Sequence, residues 1–190
     1  MGNVCRFPIL QWRLEYGLEA MGETGTGDGT AVIAALEAGY PLVVTVDAYY
    51  ANRARARIPS SCVHWFTGES VDALPAMLEV VGARRALWWL DAHLPEHYGP
   101  AAGFARTPLL AEVGALVNAT GSHRGDVFLC DDTRLYGMPA DDGQLPEDIL
   151  PANPRDLEQI CALLHPTHRV LHDPRDTGYL VALPRNCSSP

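Results

Sequence analysis

Glu23-Thr24-Gly25-Thr26-Gly27-Asp28-Gly29-Thr30, followed at once by Ala31-Val32-Ile33-Ala34-Ala35-Leu36, is the stretch whose reading decides the fold. Glycines at alternate positions make a tight turn, and the apolar run behind them opens a helix, so the segment reads as a β-to-α turn. A turn of this kind leaves bare backbone at a helix start, where a ligand can come close. The next strand, Leu42-Val43-Val44-Thr45-Val46, ends in Asp47. The strand expected before the turn, Glu19-Ala20-Met21-Gly22, lacks the bulky β-branched residues usual in a buried parallel strand.

The spacing bears on the ligand. A dinucleotide fingerprint needs G-x-G-x-x-G, but here Gly25, Gly27 and Gly29 make G-x-G-x-G and Thr30 stands where the third glycine belongs. Glu23 and Asp28 would repel a pyrophosphate and attract an adenosine ligand with a cationic end. An acidic residue before G-x-G-x-G, with a second acid ending the next strand, resembles the first two motifs of the Rossmann-like (class I) S-adenosylmethionine-dependent methyltransferases. The resemblance implies that Glu23, Gly25, Thr26, Gly27, Gly29 and Asp47 bind S-adenosylmethionine. A third strand, Cys62-Val63-His64-Trp65-Phe66, leads into Thr67-Gly68-Glu69-Ser70, and the same resemblance places Glu69 and Ser70 near the adenine. Ser70 read by itself is equally a helix cap.

Two further strands end in acid. Ala86-Leu87-Trp88-Trp89-Leu90 runs into Asp91-Ala92-His93, and Asp126-Val127-Phe128-Leu129-Cys130 runs into Asp131-Asp132. In open α/β sheets ligands sit beyond the carboxyl ends of the strands. Carboxylates gathered there repel one another, and a divalent cation offsets that repulsion; hard oxygen donors without paired cysteines favour Mg²⁺. Capping a turn or a helix is the plain alternative for each acid. The pattern resembles metal-dependent O-methyltransferases of small molecules, including those acting on sugars of natural products. It implies Mg²⁺ on Asp91, Asp131 and Asp132, with Asp91 also on the cofactor side, a metal-bound acceptor hydroxyl, and a base. His93 is the candidate base, and His97, beyond Pro95, the weaker one. Asp-Ala-His is also similar to the metal site of arginase-like hydrolases, but the rest of that pattern is missing.

The remaining chain fits around these units. Leu10, Leu14 and Leu18 at intervals of four, with Trp12 and Tyr16 beside them, predict a leading helix over residues 9–20 that covers an edge of the sheet or the ligand pocket. Helices are expected over 30–39, 49–57, from about Pro108 to Asn118, and from Asn153, which caps a start with Pro154 behind it. Thr133 to Pro154 is rich in Pro, Asp and Gly, and reads either as a lid over the strand ends or as a surface loop. His168–His172 and Gly178–Leu183, flanking Asp173-Pro174-Arg175-Asp176-Thr177, predict an antiparallel hairpin. The expected architecture is one α/β domain over 1–190: a leading segment to residue 19, a Rossmann-like core over 20–183 and a tail over 184–190. Its sheet is mainly parallel, with helices on both faces and a C-terminal antiparallel hairpin.

A net charge of −9 argues against nucleic acid or an anionic membrane as partner. Five cysteines without a C-x-x-C pair indicate neither a disulfide framework nor a zinc knuckle, and point to a reducing cytoplasm. No run approaches the roughly eighteen apolar residues of a membrane span. The expected partner is a small hydroxylated molecule; oligomeric state is left open, a homodimer included. N-methylation, a catalytically silent binding or assembly module, and a dinucleotide-dependent oxidoreductase are the alternative readings.

Overall fold

The computed structural model describes residues 3–49, 51–92, 107–119, 125–143, 145 and 151–185. Seven strands form one sheet: β1 (Ala20–Thr24), β2 (Leu42–Asp47), β3 (Val63–Thr67), β4 (Ala86–Leu90), β5 (Val127–Cys130), β6 (His168–Asp173) and β7 (Tyr179–Pro184). Their order is β3-β2-β1-β4-β5-β7-β6. The first five are parallel, and β7 enters antiparallel between β5 and β6 as the expected closing hairpin. The order reverses at β1, so the crevice between β1 and β4 lies at the topological switch point.

Helices cover both faces. On one side α1 (Ile9–Tyr16) and α2 (Thr30–Glu37) pack on Met21, Val43, Leu87, Trp89, Leu129 and Val181. On the other, α4 (Ser70–Val81), α5 (Leu109–Asn118) and α6 (Pro154–Leu164) pack on Val44, Val46, Trp88, Leu90, Phe128 and Ala182, while the short α3 (Ala51–Arg57) follows β2. Trp88 and Trp89 point to opposite faces, and each is buried within the chain. Asn153 caps α6, its side chain accepting from the Arg155 N–H, with Pro154 in the first turn as the sequence predicts.

The central strand β1 is made of small residues for a reason that lies on its neighbour. All five residues are buried, and a Cβ on Gly22 would stand 2.1 Å from Cζ3 of Trp88, the residue paired with it on β4. The Trp88 indole occupies the space that a bulky β1 residue would need. Its Nε1 donates to Asp126 Oδ2 at 2.9 Å, and Asp126 Oδ1 accepts from the Ala86 N–H at 2.9 Å. His168 Nε2 donates to the Asp126 carbonyl at 2.9 Å, so this acid joins β4, β5 and β6 at the end of the sheet opposite the glycine turn.

The leading helix departs from the expected face. Leu10 and Leu14 are 51% and 70% exposed, whereas Ile9, Trp12 and Tyr16 are buried. Gly17, at φ +62°, ends the helix before Leu18, so the three leucines never share one helical stripe. The Thr133–Pro154 segment is also fastened where it is described. Thr133–Tyr136 forms a 3-10 turn with Leu135 and Tyr136 buried, the Asp141 and Asp142 N–H groups donate to the Pro174 and Asp176 carbonyls, and Ala152 donates to the Leu135 carbonyl.

Candidate cofactor site at the carboxyl ends of the strands

Beyond β1 the chain turns through Gly25, Gly27 and Gly29, with φ of +84°, +53° and +87°, into α2. The turn is tied to β2, because the Gly25 and Thr26 N–H groups both donate to the Val46 carbonyl, at 2.9 and 3.1 Å. The Gly27 N–H donates to Asp47 Oδ2 at 2.9 Å, while Asp47 Oδ1 accepts from the Tyr49 N–H at 2.7 Å. The acid ending β2 therefore holds the turn in shape.

The three glycines serve different ends. A Cβ on Gly25 would stand 2.4 Å from the Asp91 carbonyl, and one on Gly29 would stand 2.5 Å from Ile58 Cδ1, so both are close protein contacts. A Cβ on Gly27 would meet nothing within 4 Å among the described residues. Gly27 is the position where bare backbone faces open space, as the approach of a ligand requires.

Glu23 lies underneath. It is buried, and its Oε2 accepts from Thr45 Oγ1 at 2.6 Å; Thr45 Oγ1 also meets Thr26 Oγ1 at 2.6 Å. Burial holds its carboxyl well above the usual carboxylate range, the Thr45 hydroxyl opposes this, and the charges of Asp91, Asp47 and Asp28 reinforce it. Asp28 Oδ1 accepts from the N–H and hydroxyl of Thr30 at the start of α2, and these bonds lower its pKa. Glu69 stands just before α4, and Ser70, its first residue, is buried, its hydroxyl without a hydrogen-bond partner among the described residues.

The proposed metal ligands end adjacent strands, but they do not form a ligand set. Asp132, at φ +59°, pairs with Arg134 Nε at 2.8 Å, and Asp131 Oδ1 accepts from Thr177 Oγ1 and from the Asp132 N–H, both at 2.7 Å. Among the described residues no group of three His, Cys, Asp or Glu side chains is disposed to hold a metal ion. The donors as arranged do not fit Mg²⁺. His93 and His97 lie outside the described residues.

One buried acid escaped the sequence reading. Glu112, in the first turn of α5, is 1% exposed, and neither of its carboxyl oxygens has a hydrogen-bond partner among the described residues. Burial pushes it up to about 7; the nearby Ser70 and Thr24 hydroxyls oppose the shift without reaching hydrogen-bond geometry, and Asp91 and Glu69 add to it. The signal was available: Leu109, Glu112, Val113 and Leu116 follow the helical stripe that faces the core.

With this geometry in place, comparison with solved structures identifies the architecture. A Podospora anserina methyltransferase, PaMTH1, bound to S-adenosylhomocysteine, superposes with a TM-score of 0.61 at 16% identity, covering 96% of this chain and 84% of that one. The chain has the class I methyltransferase fold. A Bacillus cereus O-methyltransferase in complex with S-adenosylhomocysteine matches the same class I architecture at TM-score 0.59 and 17% identity, covering 97% of this chain and 83% of that one. TomG, a Streptomyces achromogenes O-methyltransferase involved in tomaymycin synthesis and bound to S-adenosylmethionine, matches at TM-score 0.55 and 18% identity, over 96% and 85%. No family model matches the chain, nor does the sequence of any curated protein. The class I fold puts the glycine turn, Asp47 and the tips of β4 and β5 together at the carboxyl end of the parallel strands.

Proposed function

We propose that this chain transfers the methyl group of S-adenosylmethionine to a hydroxyl of a small molecule. The observation that carries the reading is the turn after β1, held by Asp47 and open at Gly27, at the switch point of a class I fold. Gly25, Thr26, Gly27 and Gly29 supply backbone to the cofactor, Asp47 an acceptor beside it, Glu69 and Ser70 the adenine contacts. Glu23, buried beneath the turn, braces it through Thr45, and Asp91 supplies negative charge toward the sulfonium end of the cofactor. Once bound, S-adenosylmethionine supplies an electrophilic methyl group. His93 takes the proton of the acceptor hydroxyl, and the oxygen forms the new C–O bond as the C–S bond breaks.

No step is routed through a metal, because Asp132 is committed to Arg134 and Asp131 to Thr177. The acceptor is a small molecule and the compartment a reducing cytoplasm, in keeping with four described cysteines that are all free thiols. Among the described residues no helix is long and apolar enough to cross a membrane.

The same Asp132–Arg134 pair favours a second reading, a catalytically silent module that keeps the fold for binding or assembly. Calorimetry with S-adenosylhomocysteine, followed by transfer of a labelled methyl group to a panel of phenols, alcohols and amines, separates the two. Micromolar binding that is lost in Gly27→Val, with label appearing on a phenol or alcohol, is the expected result. Binding without transfer would favour the silent module, and competition by NAD instead would point to an oxidoreductase.

A further inference from the structure

Glu112 lines a small cavity at the carboxyl tips of β4 and β5, together with Asp91, Asp131, Tyr136, Leu109 and Leu135. The cavity offers about 10 Å³, room for one water-sized group. It adjoins the glycine turn, since the Asp91 carbonyl is the atom on which a Gly25 Cβ would close. Its described lining contains three carboxyl side chains and no Lys, Arg or His.

A buried carboxyl with both oxygens lacking partners is unfavourable until a donor reaches it, and here the Thr24 and Ser70 hydroxyls beside it lack partners as well. A compact neutral donor would satisfy the hydrogen bonds of such a socket, and a compact donor that is also positively charged would stabilise its carboxylate form as well. A primary ammonium has all three properties, whereas a guanidinium is a broad planar fork and a carboxylate or phosphate would be repelled. A divalent ion is not matched, because no three acids are disposed to ligate one among the described residues.

We infer that this socket receives the primary ammonium group of the methyl acceptor, so that the substrates are hydroxylated amines rather than hydroxylated acids. The word acceptor rests on the methyl-transfer reading above; the ammonium socket itself does not.

The test is calorimetry on the full chain, first with S-adenosylhomocysteine alone and then with three probes that share a 2-(4-hydroxyphenyl)ethyl group: tyramine, 2-(4-hydroxyphenyl)ethanol and 3-(4-hydroxyphenyl)propanoate. Tyramine is expected to bind about tenfold or more tightly than the alcohol, the difference a charge-assisted hydrogen bond supplies, and the acid to give no heat. Glu112→Gln, checked for folding by circular dichroism, is expected to reduce tyramine to the affinity of the alcohol. Equal binding of the amine and the alcohol, binding of the acid, or an amine preference that survives in Glu112→Gln overturns the inference. Displacement of tyramine by millimolar Mg²⁺ does so too. Should Glu112→Gln not fold, the probe series on the wild type decides alone. If S-adenosylhomocysteine fails to bind, the methyl-transfer reading falls, and the same probes on the cofactor-free chain still decide the socket.

Discussion

Asp47 Oδ2 accepts the Gly27 N–H at 2.9 Å, joining the tip of β2 to the turn after β1 across twenty residues of sequence. This bond shapes the proposed cofactor cradle before any ligand arrives. A hydrogen bond to a charged group contributes about 1.5–3 kcal/mol, so Asp47→Ala is expected to weaken S-adenosylhomocysteine binding about ten- to a hundredfold. Calorimetry reads the loss directly, and an unchanged affinity would remove Asp47 from the site.

Two glycine substitutions are expected to separate packing from binding. Gly22→Ala drives a methyl group into the Trp88 ring and should lower stability by on the order of 3 kcal/mol, seen as a fall in the urea midpoint. Gly27→Val places its Cβ against no atom of the described residues and carries mainly the left-handed backbone penalty of about 1–2 kcal/mol, yet should abolish cofactor binding. Equal stability losses with intact binding in both would contradict the open cradle at Gly27.

Glu112 predicts a slope of stability with pH. Its folded pKa of about 7 lies above the ordinary 4.5, so its neutral form is the one the fold favours. The stability it contributes is full below about pH 4.5 and is lost as pH rises through about 7, to an extent of about 3 kcal/mol. Glu23, shifted upward for the same reason, adds to the loss. Between pH 5 and 8 the denaturation midpoint should therefore fall more steeply, or rise less, in the wild type than in Glu112→Gln, where Glu23 and the buried His168, whose pKa burial lowers, still contribute. A pH slope that is the same in the wild type and in Glu112→Gln would show that Glu112 is not held neutral.

The Asp132–Arg134 pair predicts indifference to metal. Both partners are largely shielded, with side-chain exposures of 6% and 16%, and Asp131 is bonded to Thr177. Millimolar Mg²⁺ should leave the thermal midpoint unmoved, and EDTA should leave methyl transfer unchanged. A clear Mg²⁺ stabilisation that disappears in Asp131→Ala would restore the metal-assisted mechanism.

Most strand ends were legible in the sequence because each carries its own chemistry. Apolar runs of strand length stop at Asp47, Asp91 and Asp131, and a chain buried in a parallel sheet can leave polar groups at its tips at little cost. β1 was harder, since its small residues answer to Trp88, more than sixty positions away, and no local propensity records that contact. The α1 face was misread for a similar reason: leucines at intervals of four satisfy helical periodicity, but Gly17 ends the helix before the third one.

What the sequence determined by itself was the order of the β–α units, the glycine turn and the acids that follow it, because turn chemistry and hydrophobic runs act between near neighbours. The tertiary structure decided how those acids are used. Side-chain pairing across the sheet depends on elements brought together from distant parts of the chain, so only the fold could bind Asp131 to Thr177 from the hairpin and Asp47 to Gly27, and bury Glu112 beside a cavity that no local pattern announces.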